Sequence, residues 1–309
     1  MLWISVVGMV LLALLPDFLL LLGGTALRKV LPPAGWQALD TLNFYLLFPA
    51  LIFISALGAP PASRDLMILA PGIWGIMLFA CLLGWLVRAW GPARFLDFAA
   101  LWQTAWRFNT ALAMVMVQAL PVEYRALMSI AIGLAVPVAN ILAVSALSRG
   151  QGMGLVKTLK LVVSNPFLLA SLAGLLCSVL AVSLPEQLLL ALHKLAQAAL
   201  PLALLSIGAA MQWQALWRLD RFQLALNTIK LLLMPALMLL ICYLAAVPAG
   251  PALVLVLFAA LPTASAAHVL ASVYGAERQP VATLIAQSTM LGCISLPLWL
   301  LLLFKIYPH

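Results

Sequence analysis

Apolar residues run through this chain in long blocks, and short segments between the blocks hold most of the charged residues. A helix needs about 20 apolar residues to cross the hydrocarbon core of a bilayer. Counting such blocks predicts an all-α polytopic membrane protein with ten transmembrane helices. The predicted stretches are 4–26, 37–57, 67–87, 97–118, 125–147, 164–183, 188–210, 223–246, 251–273 and 281–304.

Composition supports this class. The chain has 309 residues, of which 66% are hydrophobic and 8% charged, whereas soluble domains carry about 25% charged residues. The net charge of +8 comes from basic residues dispersed in short loops, which favours a lipid bilayer over nucleic acid as the partner. The four cysteines lie in apolar segments without metal-ligand spacing, so neither a metal site nor a cofactor is predicted.

The distribution of lysine and arginine predicts an orientation. Basic residues are more frequent in the loops after the odd-numbered predicted helices, Arg278 among them, than in the other loops. By the positive-inside rule the odd loops are cytoplasmic. We therefore expect a multi-pass protein of the cytoplasmic (inner) membrane with both termini outside.

A weak internal repeat divides the chain. Phe98–Leu101 (Phe-Ala-Ala-Leu) recurs as Phe258–Leu261, and Pro137 matches Pro297 at the same offset. Five helices is an odd number, so the second repeat would enter the membrane from the opposite side. This predicts two inverted five-helix repeats, with a site near the midplane where broken helices meet. The expected divisions are 1–148 for the first repeat, 149–163 for a flexible cytoplasmic linker and 164–309 for the second repeat.

Arg107 is the most informative single residue. It lies near the middle of the fourth predicted helix, where a charge costs about 2.5–3.5 kcal/mol even on the lenient insertion scale. Such a residue usually faces a water-filled cavity or a partner, and a planar guanidinium suits a carboxylate. Arg107 is therefore a candidate for binding an anionic substrate. Asn109, two positions on, is either a second ligand or a helix cap.

The ninth predicted helix contains the run Leu261–His268, in which Pro262, Thr263 and Ser265 would interrupt an ordinary helix. Freed backbone groups at membrane depth are tolerated only where they face protein or a water-filled cavity. These three residues are thus candidates for lining a substrate site. His268 is either a substrate or proton-coupling group or a buried neutral histidine.

Other polar residues at membrane depth are weaker candidates. Asp17 could pair with Arg107, bind a proton or lie at a hydrated helix entrance, and the sequence leaves these alternatives open. The remaining polar candidates, which more often join helices than bind ligands, are Asn43, Asn140, Gln287 and Ser288.

Several of these elements together resemble the auxin efflux carrier family of bacterial permeases, relatives of the plant auxin carriers. The matching elements are Leu39–Leu51, Arg107–Asn109, Asn165–Pro166, Leu200–Gly208, and Leu261–Ala264 with Leu270–Ala271 and Tyr274–Gly275. The resemblance implies that helices four and nine unwind and cross, and that helices one, two, six and seven form a scaffold for a moving domain. It also implies organic anions such as malate or malonate as cargo.

The sequence departs from the family pattern at the expected site. Phe108 replaces a glycine, Ala266 stands where many members carry asparagine, and His268 replaces an apolar or aromatic residue. The substrate therefore does not transfer directly from a relative.

The function expected from these observations is a secondary active transporter (permease) for small organic anions, working by alternating access. The alternative is a sodium-coupled symporter of the bile-acid type or a carrier of another amphipathic solute. An intramembrane enzyme using Ser265, His268 and Ser272 is disfavoured, because the sequence has no nucleophile-elbow or His-Glu-x-x-His motif. A homodimer is one possible assembly.

Overall fold

The protein is described by a computed structural model that covers residues 2–57, 63–116, 124–217 and 220–307. These residues form helices and connecting turns and contain no strand. The helices are α1 Leu2–Leu27, α2 Pro33–Leu42, α3 Phe48–Ala56, α4 Ser63–Leu86, α5 Phe95–Trp102, α6 Thr110–Met116, α7 Arg125–Gly150, α8 Leu155–Val163, α9 Pro166–Val179, α10 Glu186–Ala210, α11 Arg221–Thr228, α12 Met234–Leu244, α13 Ala249–Ala260, α14 Ala266–Val273 and α15 Arg278–Ile306.

Two π-helical turns join pairs of these helices into longer spans. Asn43–Leu47 connects α2 to α3, and Ile229–Leu233 connects α11 to α12. Each turn is followed by a proline in the first turn of the next helix, Pro49 and Pro235. Proline lacks an N–H and clashes with the preceding turn, so widening that turn lets the helix continue past it.

Within the described residues, six helices are long and apolar enough to cross a membrane. A seventh span results if α8 and α9, which meet at a bend of 47°, are counted as one. This is consistent with a polytopic membrane protein that is all-helical over its described residues. The predicted stretches 97–118 and 251–273 are interrupted, and their pieces are too short to span alone. The count of ten crossings and the inverted repeat remain predictions.

We divide the packed helices into two sets, which we call the first and the second bundle. In the first bundle, α10 contacts α1 and α3, and α3 also contacts α9. In the second bundle, α7 contacts α4, α5 and α13, and α15 contacts α13 and α14. The bundles meet along several helix pairs, among them α1 with α15, α7 with α9, α3 with α7, and α2 with α14. The two interrupted spans, α5–α6 and α13–α14, belong to the second bundle.

Small residues bring α1 and α10 into very close contact. A Cβ at Gly24 would overlap the carbonyl oxygen of Leu205, and a Cβ at Gly208 would overlap that of Leu21. Thr25 Oγ1 donates across the same contact to the Gly208 carbonyl at 2.9 Å. Small residues at such positions let helix backbones approach in a membrane, where packing and interhelical hydrogen bonds drive association.

Several turns gather at one end of the molecule. The Gln151 side chain donates to the Tyr274 carbonyl at 2.7 Å, and Asp97 accepts from the Glu277 backbone at 2.9 Å. These contacts bring together the turns before α5, α8 and α15, and the Arg278 side chain at the start of α15 contacts α2. We call this end the linker face.

The segment predicted as a flexible linker contains a regular helix. Only 151–154 separate α7 from α8. Leu155, Val156 and Leu159 on α8 are exposed, and Lys157 and Lys160 are exposed beside them. An exposed apolar stripe flanked by lysines is typical of a helix lying in a membrane interface.

Candidate functional site

The first interrupted span breaks around Arg107. Helix α5 ends at Trp102, a 3₁₀ turn covers Gln103–Ala105, and α6 begins at Thr110. The side chain of Asn109 accepts a hydrogen bond from the Leu112 backbone at 3.1 Å. Asn109 therefore caps the restarted helix, one of the two roles that the sequence allowed, and also occupies the break.

The second interrupted span breaks around Pro262. Helix α13 ends at Ala260, and α14 begins at Ala266. Leu261 is extended, with ψ 140°, as expected for a residue that precedes proline. Ser288 on α15 accepts a hydrogen bond from the Thr263 backbone at 3.1 Å, which satisfies one N–H that the break frees.

The two breaks touch. The Asn109 backbone N–H donates to the Pro262 carbonyl at 2.8 Å. The rings of Phe108 and Phe258 pack with centroids 4.2 Å apart. Backbone groups that a continuous helix would satisfy internally are thus paired across the contact between the breaks, as their depth in a membrane requires.

Arg107 is buried at this contact, with 4% of its surface exposed. Its Nε donates to Gln103 Oε1 at 2.8 Å, and its Nη2 donates to Asn140 Oδ1 at 2.9 Å. No carboxylate in the described part of the chain lies within ion-pair distance of Arg107. The guanidinium is therefore hydrogen-bonded only to neutral amides, and its charge is uncompensated by the described residues.

A cavity of about 50 Å³ opens beside Arg107. Its polar wall includes Arg107, Asn109, Thr110, Asn140, Ser265 and Ser55, and its apolar wall includes Phe48, Leu51, Ile52, Phe108, Val136 and Phe167. A water molecule needs roughly 10–15 Å³ by this measure. The cavity has room for a few waters in this conformation.

The other sequence candidates are distributed around this cavity. Pro262 and Thr263 lie in the second break but do not line the cavity. The Asp17 side chain on α1 contacts the Asn109 side chain, and among the described residues it forms no ion pair with Arg107. Asp17 thus links the first bundle to the first break.

Three weaker candidates do not line the cavity. Asn43 is buried in the first π-helical turn, and neither polar atom of its side chain has a hydrogen-bond partner among the described residues. Gln287 on α15 donates to the Leu216 carbonyl at 3.3 Å and to Gln223 Oε1 at 3.2 Å. Ser288, as described above, supports the second break.

His268 lies in a second polar group, away from the cavity lining. Its Nε2 is 3.7 Å from Asp40 Oδ2 and 3.4 Å from Ser206 Oγ. Arg278 Nη2 is 2.8 Å from Asp40 Oδ2 and donates to Ser206 Oγ at 2.9 Å. We call Asp40, Ser206, His268 and Arg278 the linker-face cluster.

This arrangement differs from a hydrolytic triad. In a triad the serine and the carboxylate contact opposite nitrogens of the histidine ring. Here Ser206 and Asp40 both approach Nε2 of His268, while Nδ1 has no partner among the described residues.

The sequence analysis missed three of the four cluster residues as functional candidates. Asp40 lies near the start of a predicted span, and Arg278 was assigned to the loop before the tenth helix. The structure corrects that assignment, because Arg278 is the first residue of α15 and is paired with a carboxylate whose exposed fraction is 0%. The available signal was one charge of each sign at the start of an apolar block, Asp40 at the second predicted stretch and Arg278 at the tenth.

Apolar spans, two touching breaks and a buried cation beside a cavity are consistent with a membrane transport protein. Residues 152–300 match a family model described as membrane transport protein. This model is the domain of the auxin efflux carrier family, and the resemblance identified in the sequence is confirmed over this part of the chain. A comparison with curated proteins found no match.

Proposed function

We propose that this chain is a secondary active transporter for small organic anions, with Arg107 binding the carboxylate. The observation that carries the proposal is the uncompensated guanidinium of Arg107 at the cavity wall. A buried charge left without a counter-charge is strongly unfavourable. A substrate carboxylate would supply that counter-charge, so the burial of the Arg107 guanidinium favours the binding of an anion.

The cavity also supports a small cargo with a short hydrocarbon part. Asn140 and Asn109 offer amide groups beside the guanidinium, and Phe48 and Leu51 form part of an apolar wall opposite. A substrate such as malonate or malate would place one carboxylate on Arg107. Fixed polar groups in a mostly apolar pocket are the usual way in which a site orients a small ligand.

The mechanism proposed is alternating access. The first bundle, held by the close α1–α10 contact, would serve as a frame, and the second bundle would carry the two breaks and the substrate past it. In this proposal the chain forms ten crossings in two inverted repeats in the cytoplasmic membrane, with both termini outside. The π-helical turns and breaks supply the local irregularities that such folds place at their binding sites.

The test is uptake of radiolabelled malonate and malate into proteoliposomes by wild type and Arg107→Gln. Glutamine keeps hydrogen bonding but removes the charge. Because hydrogen bonds to charged groups contribute about 1.5–3 kcal/mol, we expect transport efficiency to fall about 10- to 100-fold. The matched control is Lys230→Gln, which removes another buried cation (5% exposed). Lys230 lies in the second π-helical turn and does not line the cavity.

Equal uptake by wild type and Arg107→Gln would remove Arg107 from substrate binding. Uptake of neutral or amphipathic solutes instead of carboxylates, or an absolute requirement for sodium, would favour the alternative carrier. Equal losses in Arg107→Gln and Lys230→Gln would indicate a general effect of removing buried charge.

A further inference from the structure

The linker-face cluster joins the two bundles, and none of its four residues lines the cavity. Asp40 is on α2 and Ser206 on α10, both in the first bundle, whereas His268 on α14 and Arg278 on α15 belong to the second. Asp40, Ser206 and His268 are each 0% exposed. The cluster is therefore a polar connection between two surfaces that must move apart if the bundles rearrange.

The cluster lies between the cavity and the linker face. Along the α2–α3 span, Asp40 precedes the cavity residue Phe48, and along α10 Ser206 follows the cavity residue Leu200. In both cases the cluster residue is nearer the linker face. Arg278 is 24% exposed at that face, so the cluster extends from the protein interior to its edge.

The contacts within the cluster are close but incompletely satisfied. The 2.8 Å ion pair of Arg278 with Asp40 is not aligned as a hydrogen bond. Among the described residues, Arg278 Nε and His268 Nδ1 have no hydrogen-bond partner, and neither has the amide of Asn43, one turn beyond Asp40. A buried polar group without a hydrogen-bond partner is stabilised by contact with water. Separation of the cluster residues would therefore allow water to reach groups that are unpaired in the closed arrangement.

A short chain of contacts connects this cluster to Arg107. Gln103 accepts from Arg107 through its Oε1, and its Nε2 donates to the Ala267 carbonyl at 3.2 Å. Ala267 immediately precedes His268 on α14. A ligand that takes over the interaction of Arg107 with Gln103 would thus alter a hydrogen bond that holds the start of α14.

We propose that the linker-face cluster is an interlock that keeps the linker-face side of the site closed, and that Gln103 connects it to the substrate site. This deepens the proposed function, since an interlock has a role only if the bundles move. Asp40, Ser206, His268 and Arg278 separate when this face opens and meet again when it closes. Gln103 acts as a positioning residue, because it contacts Arg107 and α14.

The test measures opening directly, without transport. In a background with the four native cysteines replaced, Asn43→Cys provides a buried reporter beside the cluster that does not line the cavity. A membrane-impermeant maleimide is added from the linker-face side, and Leu155→Cys, on the exposed surface of α8, marks that side. Asp40→Asn and Arg278→Gln should each raise the labelling rate about tenfold, because removing one partner of a buried ion pair strongly destabilises the arrangement that buries the other.

Controls separate this effect from a general loss of structure. Arg94→Gln removes the exposed cation of the Arg94–Asp97 ion pair (3.6 Å) at the same end of the molecule. Asp97 keeps its hydrogen bond from the Glu277 backbone, so labelling should be unchanged. The charge exchange Asp40→Arg with Arg278→Asp should restore slow labelling at least in part. If Asp40→Asn does not fold, Ser206→Ala removes the hydroxyl that accepts from Arg278 and contacts His268 Nε2, and it should give a rise of a few fold. Unchanged labelling in the foldable single variants would overturn the interlock.

A second arm adds malonate. Malonate should change the labelling rate in the reporter protein, and Gln103→Ala should remove that change while malonate still raises the unfolding temperature. Retained coupling in Gln103→Ala would overturn the role of Gln103. An effect of Asp40→Asn without any effect of malonate would leave the interlock standing and reject malonate as the substrate, so failure of the two proposals is distinguishable.

Discussion

The two breaks differ in what they contribute to the site. The break around Arg107 carries a charge and fixes it with two side-chain hydrogen bonds. The break around Pro262 carries no charge, and its backbone is supported by Ser288 and by the Asn109 N–H. The first break therefore determines which ligand charge the site attracts. The second break provides the packing surface that holds the first break in position.

This comparison predicts that changes of charge act through the first break and changes of volume through the second. It also predicts that the two kinds of change affect stability differently. Adding a counter-charge near Arg107 should stabilise the fold while it blocks binding. Adding volume near Pro262 should lower both the stability of the fold and the transport rate.

The largest effect is expected for Asn140→Asp. The new carboxylate would lie beside Arg107 Nη2, which contacts Asn140 Oδ1 at 2.9 Å. Because the new carboxylate supplies the counter-charge that the buried guanidinium lacks, this internal anion should compete with substrate and weaken its apparent affinity roughly 100-fold. Carboxylate titrations measure the affinity, and thermal unfolding measures the stability. The unfolding temperature should rise. The comparison fails if Asn140→Asp binds carboxylates as wild type does.

A smaller effect is expected for Gly292→Val on α15. A Cβ there would lie 2.6 Å from Pro262 Cγ, so the second break must shift. Overpacking of this kind costs about 1–3 kcal/mol, and we expect roughly tenfold slower transport together with a lower unfolding temperature. Gly133→Val on α7 is the matched control, since nothing lies within 4 Å of its Cβ position. Equal losses in the two variants would indicate a general effect of valine in these helices.

The smallest effect is expected for Ser288→Ala, which removes the acceptor of the Thr263 N–H. A neutral hydrogen bond contributes about 1 kcal/mol, so transport should slow about fivefold. Ser295→Ala, on the same helix, changes a buried hydroxyl without a partner among the described residues and should be close to neutral. Kinetics of the two variants in parallel provide the measurement, and a larger loss in Ser295→Ala would contradict the supporting role of Ser288.

Much of the fold was readable from local patterns. Apolar blocks predicted the long spans because burial in lipid depends on composition over about 20 residues. Pro262 and its small polar neighbours predicted an interruption, since proline cannot continue the hydrogen-bond pattern of a helix. Arg107 was identifiable because a single charge at membrane depth needs a local explanation.

The partners of these residues were not readable in the same way. Asp40 and Arg278 lie more than 200 positions apart, and each by itself resembles an ordinary charge at the end of a helix. Their pairing depends on how α2 and α15 pack, which hydropathy does not specify. The same holds for His268, because only the geometry of α14 directs its side chain to Asp40 and not to the cavity.

The reciprocal contact of Gly24 and Gly208 has a consequence for how the first bundle responds to its surroundings. The stability of a direct contact between backbones depends little on ionic strength or lipid headgroups, whereas that of a contact between charged side chains depends on both. The α1–α10 pair should therefore keep one fixed separation from detergent to bilayer. Distances from this pair to the second bundle would then report motion of that bundle alone.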